Sequence, residues 1–333
     1  MASARHAGTM RSIPQELTLG PFTVARAAEL GVSRDVLDGA RFRRPWVGVR
    51  VLSSRPDTLT ERSRAAALIL SPTAAFSHST AVDLAGWPAP SPSDAVRPRY
   101  VTEPDGAVPV HVSVPRPAPR PQARGMIGHY FDPTDGDVLI QDGLRITSPW
   151  RTWCDLGASG AELLDLVILA DALRRRWQGA GSRLLAERLG TWGRGRGAVV
   201  LRRALDASRD GVDSPMETRL RILFSDAGLP EPVVNAWIRL EDGTPVHKAD
   251  LVWPQWRVAA DYDGSHHAER DADEDVLKGR ASNWRQRQDA SRRDVVEEAH
   301  WMFRVFTAFD LFRRPERSVG RMRVTLRAAG APV

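Results

Sequence analysis

Residues 246–264, "VHKADLVWPQWRVAADYDG", limit the fold more than any other stretch. Two apolar runs, 246–253 and 256–264, flank Pro254-Gln255 and predict an antiparallel hairpin. Side chains alternate faces along a strand, so Asp261 and Asp263 share one side, and Val258, Ala260 and Tyr262 the other. A loop at Gln255-Trp256 pairs residue 254 with 257 and sets Asp250 opposite Asp261. Like charges directly opposed across two strands destabilise the pair unless something neutralises them. Asp250, Asp261 and Asp263 on one half-buried face therefore point to a bound cation, and an all-oxygen donor set selects Mg²⁺ or Mn²⁺ over Zn²⁺.

The flanks complete a layered α/β pattern. Ser214, Pro215 and Glu217 read as a capping box with proline in the first turn. Met216, Leu220, Leu223, Phe224 and Ala227 form the apolar face of that helix, and Gly228 stops it. After the hairpin a long polar helix is expected over 270–299, then an apolar strand at 301–306 and a closing helix.

The N-terminal segment 21–52 reads as helix, tight turn at Gly31, second helix capped by Ser33, then strand. The small–glycine–apolar spacing of Ala27, Gly31 and Leu37 is that of a helix-turn-helix. In such a module Arg34 lies at the groove, while Arg41, Arg43 and Arg44 hold phosphates from an adjoining wing. The charge distribution agrees: residues 1–70 carry eleven Arg against six acids, whereas 211–333 are slightly acidic. The same excess also fits a solvated, arginine-rich surface.

Residues 110–114 and 143–148 alternate like strands, and 148–177 reads as a helical pair. His78, His111 and His129 lack metal-ligand spacing and read as separate core or surface histidines. The Gly- and Arg-rich 190–200 lacks the Gly-Lys-Ser/Thr ending of a phosphate loop and reads as a linker. No stretch approaches ~18 uninterrupted apolar residues, and the single cysteine, Cys154, fits a reducing compartment. A cytoplasmic protein without a membrane partner is expected.

Four ordered segments carry a family resemblance: "SPMETRLR", "ADLVW", "VAADYDGSHH" and "RQDASRRDVVEEAHWMFRVF". Together they resemble the nuclease domain related to very-short-patch-repair endonucleases, within the restriction-endonuclease-like PD-(D/E)XK superfamily. The N-terminal half more weakly resembles the winged-helix region of AbiEi-type antitoxins. The resemblance implies a winged helix-turn-helix over 1–65, an α+β middle region over 66–190, a linker over 191–211 and a nuclease-like α/β domain over 212–330. It implies metal ligation by Asp250, Asp261 and Asp263, assistance by Glu217, and His267 as base or leaving-group donor. Asp289, Arg292 and Arg293 match the acid and arginines of the following helix. Two departures stand out: Asp263 occupies the motif's lysine position, and Asp261 is shorter than the commoner Glu. Two functions follow, a Mg²⁺- or Mn²⁺-dependent DNA endonuclease, or a DNA-binding regulator or antitoxin-like protein on an inactive nuclease fold. A protein-interaction scaffold is a third reading.

Overall fold

The computed structural model describes residues 13–87, 108–177, 181–240, 242–264, 296 and 299–333. It is a mixed α/β chain with three sheets, dividing into two compact units at residues 155/156.

The first unit takes residues 13–86 and 108–155. Strands β1 (Phe22–Thr23), β2 (Phe42–Arg43) and β3 (Val49–Leu52) form an antiparallel sheet in the order β1-β3-β2. Helices α1 (Val24–Glu29) and α2 (Arg34–Leu37) precede the β2–β3 hairpin. Thr23 caps α1 by accepting from the Arg26 amide, and Gly31 makes the turn at φ 75°. Ala27, Leu37, Phe22 and Phe42 form the core here. Ser33 sits at the N-cap of α2, but its side chain makes no capping hydrogen bond, and α2 is a single turn.

Further along this unit come α3 (Leu59–Ala67), β4 (Ala75–Phe76), α4 (His78–Leu84), β5 (Val110–Val114), β6 (Met126–Tyr130), β7 (Val138–Gln141) and β8 (Leu144–Thr147). The five strands form a mixed sheet ordered β6-β5-β4-β8-β7, with β5 parallel to β6 and β4 parallel to β8. All five residues of β5 are buried, so its polar face, His111 and Ser113, is enclosed along with its valines. Helix α5 (Pro149–Ala158) follows β8.

Among the described residues the second unit takes Trp87 and the chain from Leu156 onward. It contains α6 (Leu163–Arg176), α7 (Gly181–Trp192), α8 (Ala198–Ala207) and α9 (Pro215–Asp226). Then come β9 (Val233–Arg239), β10 (Pro245–Trp253), β11 (Val258–Asp263), β12 (Met302–Thr307), α10 (Ala308–Arg313) and α11 (Pro315–Ala328). Its sheet runs β12-β11-β10-β9, antiparallel from β9 to β11, with β12 parallel to β11. Phe224, Trp253, Val258, Ala260 and Phe306 fill one face, where each fully buried large side chain contributes about 1.5–3 kcal/mol. Val252, Ala259 and Phe303 pack on the other.

Two expectations are corrected. The stretch 191–211 is not a bare linker, because α8 occupies 198–207 with Leu201 and Ala204 fully buried. Gly197 has a packing reason: it takes φ 81°, and a Cβ there would collide with the Gly157 carbonyl. Helix α6, expected in the middle region, belongs to the second unit. Asp171 on α6 accepts from Arg221 (3.0 Å) and Thr218 (2.8 Å) on α9, a buried pairing that ties the helices together.

Candidate functional site

The β10–β11 hairpin pairs Trp253 with Val258, Val252 with Ala259 and Leu251 with Ala260. The next step outward brings Asp250 level with Asp261, as the sequence register anticipates. At that step the carboxylates replace the backbone ladder. The Asp250 amide donates to Asp261 Oδ1 (3.0 Å), and the Tyr262 amide donates to Asp250 Oδ2 (2.6 Å). The β10–β11 ladder ends where each acid takes an amide of the opposite strand, which leaves the second lone pair of each bonded oxygen for another donor or a cation.

The neighbouring strand explains how the chain opens at this point. The β9–β10 register runs Ala249↔Ala236 and then Leu251↔Val234, placing Asn235 opposite Asp250. Asn235 adopts φ 50°, a left-handed conformation that asparagine tolerates better than most residues. Residues two apart normally share a strand face. Here Ala249 and Ala236 pack with Phe303, whereas Leu251 and Val234 pack with Phe306. The strand changes face at Asp250.

That switch brings in a residue the sequence reading missed. His247 lies edge-on to Phe303 (ring centroids 5.4 Å apart), and its Nε2 stands 2.7 Å from Asp261 Oδ2. Unbroken alternation from Asp250 would favour Lys248 instead, but Lys248 gives its ammonium to Asp213 (3.1 Å). The one advance signal is Asn235 itself, a residue prone to left-handed backbone, at the position facing Asp250.

Glu217 is nearly buried and serves the start of α9. Ser214 Oγ accepts from the Glu217 amide, while the Glu217 carboxylate takes the Asp213 amide (2.9 Å) and the Asn235 side-chain amide (2.6 Å). The capping box is therefore displaced by one residue. Burial, helped by repulsion from Asp261 and Glu217, pushes the Asp250 carboxyl up to about 7, against the pull of the Tyr262 amide and His247. A divalent cation fits this need: Asp250 and Asp261 offer oxygen donors, and their mutual repulsion is what a cation would relieve. Asp263 ends β11, in parallel register with Thr307. His267, Asp289, Arg292 and Arg293 lie outside the described residues.

The four N-terminal arginines do not form one bare patch. Arg43 pairs with Asp57 (2.7 Å) and donates to the Pro56 carbonyl, and Arg44 pairs with Asp38 (2.7 Å). Arg34 and Arg41 are exposed and make no ion pair among the described residues. Arg50, which is buried, donates to the Leu37 carbonyl and to Asp38, fastening the end of α2.

The first unit holds a cluster that sequence spacing did not reveal. His78, His111 and His129 bring ligand-capable atoms within 4.8 Å of one another. Among the described residues, no other set of three or more metal-capable side chains meets that distance. The reading of three separate histidines is corrected: β5 and β6, which carry His111 and His129, are neighbours, and His78 opens α4 beside them, although the residues are far apart in sequence. The available signal was the polar period-two face of "VHVSV", His111 and Ser113, on a strand with no exposed residue.

No family model matches this chain, and no solved structure matches it. Among curated proteins it is similar to two uncharacterized proteins of Mycobacterium tuberculosis, MT2308 of strain CDC 1551 / Oshkosh and Rv2248 of strain ATCC 25618 / H37Rv. Each is 28% identical over 130 residues, which is 39% of this chain. The matched region spans 43% of each relative's own length. No helix among the described residues is long and apolar enough to cross a membrane.

Proposed function

We propose that this protein is a divalent-metal-dependent DNA endonuclease, with Asp250 and Asp261 as its central metal-binding acids. The observation that carries this reading is the cross-strand carboxylate pair, which interrupts a β-ladder between buried faces. A half-buried strand seldom keeps two facing acids unless they serve a site. The helix α9, the β10–β11 hairpin and the later strand β12 follow one another in the order read from the sequence segments that carry the nuclease resemblance.

Asp250 and Asp261 would hold Mg²⁺ or Mn²⁺, with Asp263 as a further oxygen donor. A bound divalent ion would supply charge to polarise a phosphodiester and acidify a water. The chain's own groups do the positioning. The Tyr262 amide and the Asp250 amide fix the two carboxylates, and His247 holds Asp261 Oδ2, making it a positioning residue. Glu217 adds negative charge from the start of α9. The N-terminal module would dock duplex DNA through Arg34 and Arg41, with Arg43 and Arg44 exchanging their carboxylate partners for phosphates.

The test is supercoiled-plasmid cleavage with Mg²⁺, Mn²⁺ or EDTA, comparing wild type with Asp250→Asn. Metal-dependent nicking that disappears in a folded Asp250→Asn protein is the expected result. Equal cleavage by the mutant would remove Asp250 from the site.

A second reading, a DNA-binding regulator on a non-cutting nuclease fold, has two observations in its favour. Asp263 replaces the motif lysine, and His247 already sits where it can balance Asp261. This reading expects no cleavage but selective duplex binding, weakened in the Arg34, Arg43 and Arg44 triple alanine variant at fixed salt.

A further inference from the structure

We propose that His78, His111 and His129 form a transition-metal site of the zinc class in the first unit. The sheet order β6-β5-β4 sets the three residues on adjacent strands or at the end of one. His129 lies on β6, His111 on β5, and His78 opens α4 directly after β4. In the β5–β6 register His129 pairs with Ser113, two residues from His111, so both imidazoles rise from one sheet face.

Ligand-capable nitrogens of the three rings lie within 4.8 Å of one another, close enough to be drawn onto one ion. His111 Nδ1 and His129 Nε2 stand 2.9 Å apart. Two imidazole nitrogens each about 2.0–2.1 Å from one zinc ion lie roughly 2.9–3.4 Å from each other. The three rings stack, with centroids 3.8 Å apart and planes at 22° for His78–His129, 5.2 Å and 10° for His111–His129, and 5.3 Å and 28° for His78–His111. Sharing one ion therefore requires the rings to turn about their side-chain torsions until the nitrogens converge. All-imidazole ligation suits Zn, Cu, Fe or Ni rather than Mg²⁺, and three histidines leave a fourth position for water or another donor.

The surrounding groups hold the ligands in place. Ser77 Oγ engages His78 Nδ1 (2.9 Å), leaving Nε2 as that ring's ligand atom, and Ser113 Oγ donates to Ser77 Oγ (2.8 Å). Metal-binding histidines commonly have their second nitrogen fixed in this way. Thr80 Oγ1 accepts the His111 amide, and the Ser77 amide donates to the His111 carbonyl, locking β5 to the start of α4. His78 keeps a left-handed backbone at φ 54°, a strained conformation for a side chain this buried.

The site is independent of the carboxylate pair, so one protein preparation can test both. Full-length protein is stripped of metal, titrated with zinc chloride alone, and assayed for bound zinc after dialysis. One zinc per chain is expected, and the same in the Asp250→Asn/Asp261→Asn double variant. His129→Gln, at the half-buried member, should weaken binding by at least about tenfold. Ser77→Ala should keep the stoichiometry and lower affinity about 10–100-fold. X-ray absorption on zinc-loaded wild type should show a nitrogen shell with three imidazoles, a readout that stands even if a histidine variant fails to fold. Folded wild type that retains no zinc overturns the site. So does a carboxylate-dominated shell, or zinc lost with the two aspartates, and the cluster is then a hydrogen-bonded core of neutral imidazoles.

Discussion

Two polar clusters in this chain, one buried and one half-buried, solve opposite electrostatic problems. The cluster in the first unit gathers three bases, and the one on the β10–β11 hairpin gathers acids. In each, burial penalises the charged form, so the imidazoles are held neutral by losing protons and Asp250 by keeping one. On the two proposals above a cation would serve each cluster, and imidazole nitrogens and carboxylate oxygens bind cations with different preference. Without metal, the two clusters should respond to pH in opposite directions.

The largest expected effect is on the acid side. Burial first, then like-charge repulsion, lowers His78 to about 2 and His111 to about 4, while burial and Arg120 lower His129 to about 4. The unfolded chain, with histidines near 6.5, therefore binds more protons than the folded one as pH falls from 6.5 towards 4. Stability of the metal-free first unit should drop across that window by up to about 4 kcal/mol per pH unit, three protons' worth. Hydrogen exchange at β5 and β6 amides would read this, and pH-independent protection there would break the comparison. Bound zinc should sharpen the loss into a narrower transition, because protons then compete with the ion.

Next in size is cleavage. Asp250→Asn should lower metal-dependent nicking by at least about 10²-fold, a magnitude typical of losing one electrostatic contributor at a reacting centre. Far-ultraviolet circular dichroism should be unchanged, separating lost chemistry from lost fold.

The carboxylate cluster has the reverse linkage. Asp250 is raised from 3.8 to about 7, so its folded form binds the proton more tightly than the unfolded chain. Its contribution is fully present below about 3.8 and is lost as pH rises towards 7, by at most about 1.4 kcal/mol per pH unit. Mg²⁺ should thus raise the melting temperature of wild type more at pH 8 than at pH 5. Equal shifts at both pH values, or the same pH dependence in Asp250→Asn, would contradict this.

The smallest effect belongs to His247→Gln. If His247 only steadies Asp261, cleavage should fall about tenfold, roughly 1.4 kcal/mol of transition-state stabilisation. Loss as complete as in Asp250→Asn would instead make His247 part of the chemistry.

Legibility in the sequence followed the range of the signal. Ser214-Pro215 marked the start of α9, and alternation correctly divided Val258, Ala260 and Tyr262 from Ala259 on β11. These are nearest-neighbour facts about backbone geometry. Strand β9 was not recognised, because its residues are mostly half-exposed and carry no clean apolar period. The displaced capping box at Glu217 was also hidden, since it depends on Asn235 arriving from another strand.

The sequence by itself determined a mixed α/β chain, the hairpin register that brings Asp250 level with Asp261, and an N-terminal arginine excess. Each follows from periodicity or composition within a short window. Only the tertiary structure decided that His78, His111 and His129 meet, because strand order within a sheet carries no local signature. It also decided that α6 belongs with α9, through Asp171 and Arg221 fifty residues apart. And it set His247 rather than Lys248 against Asp261, because one left-handed asparagine turns the neighbouring strand over.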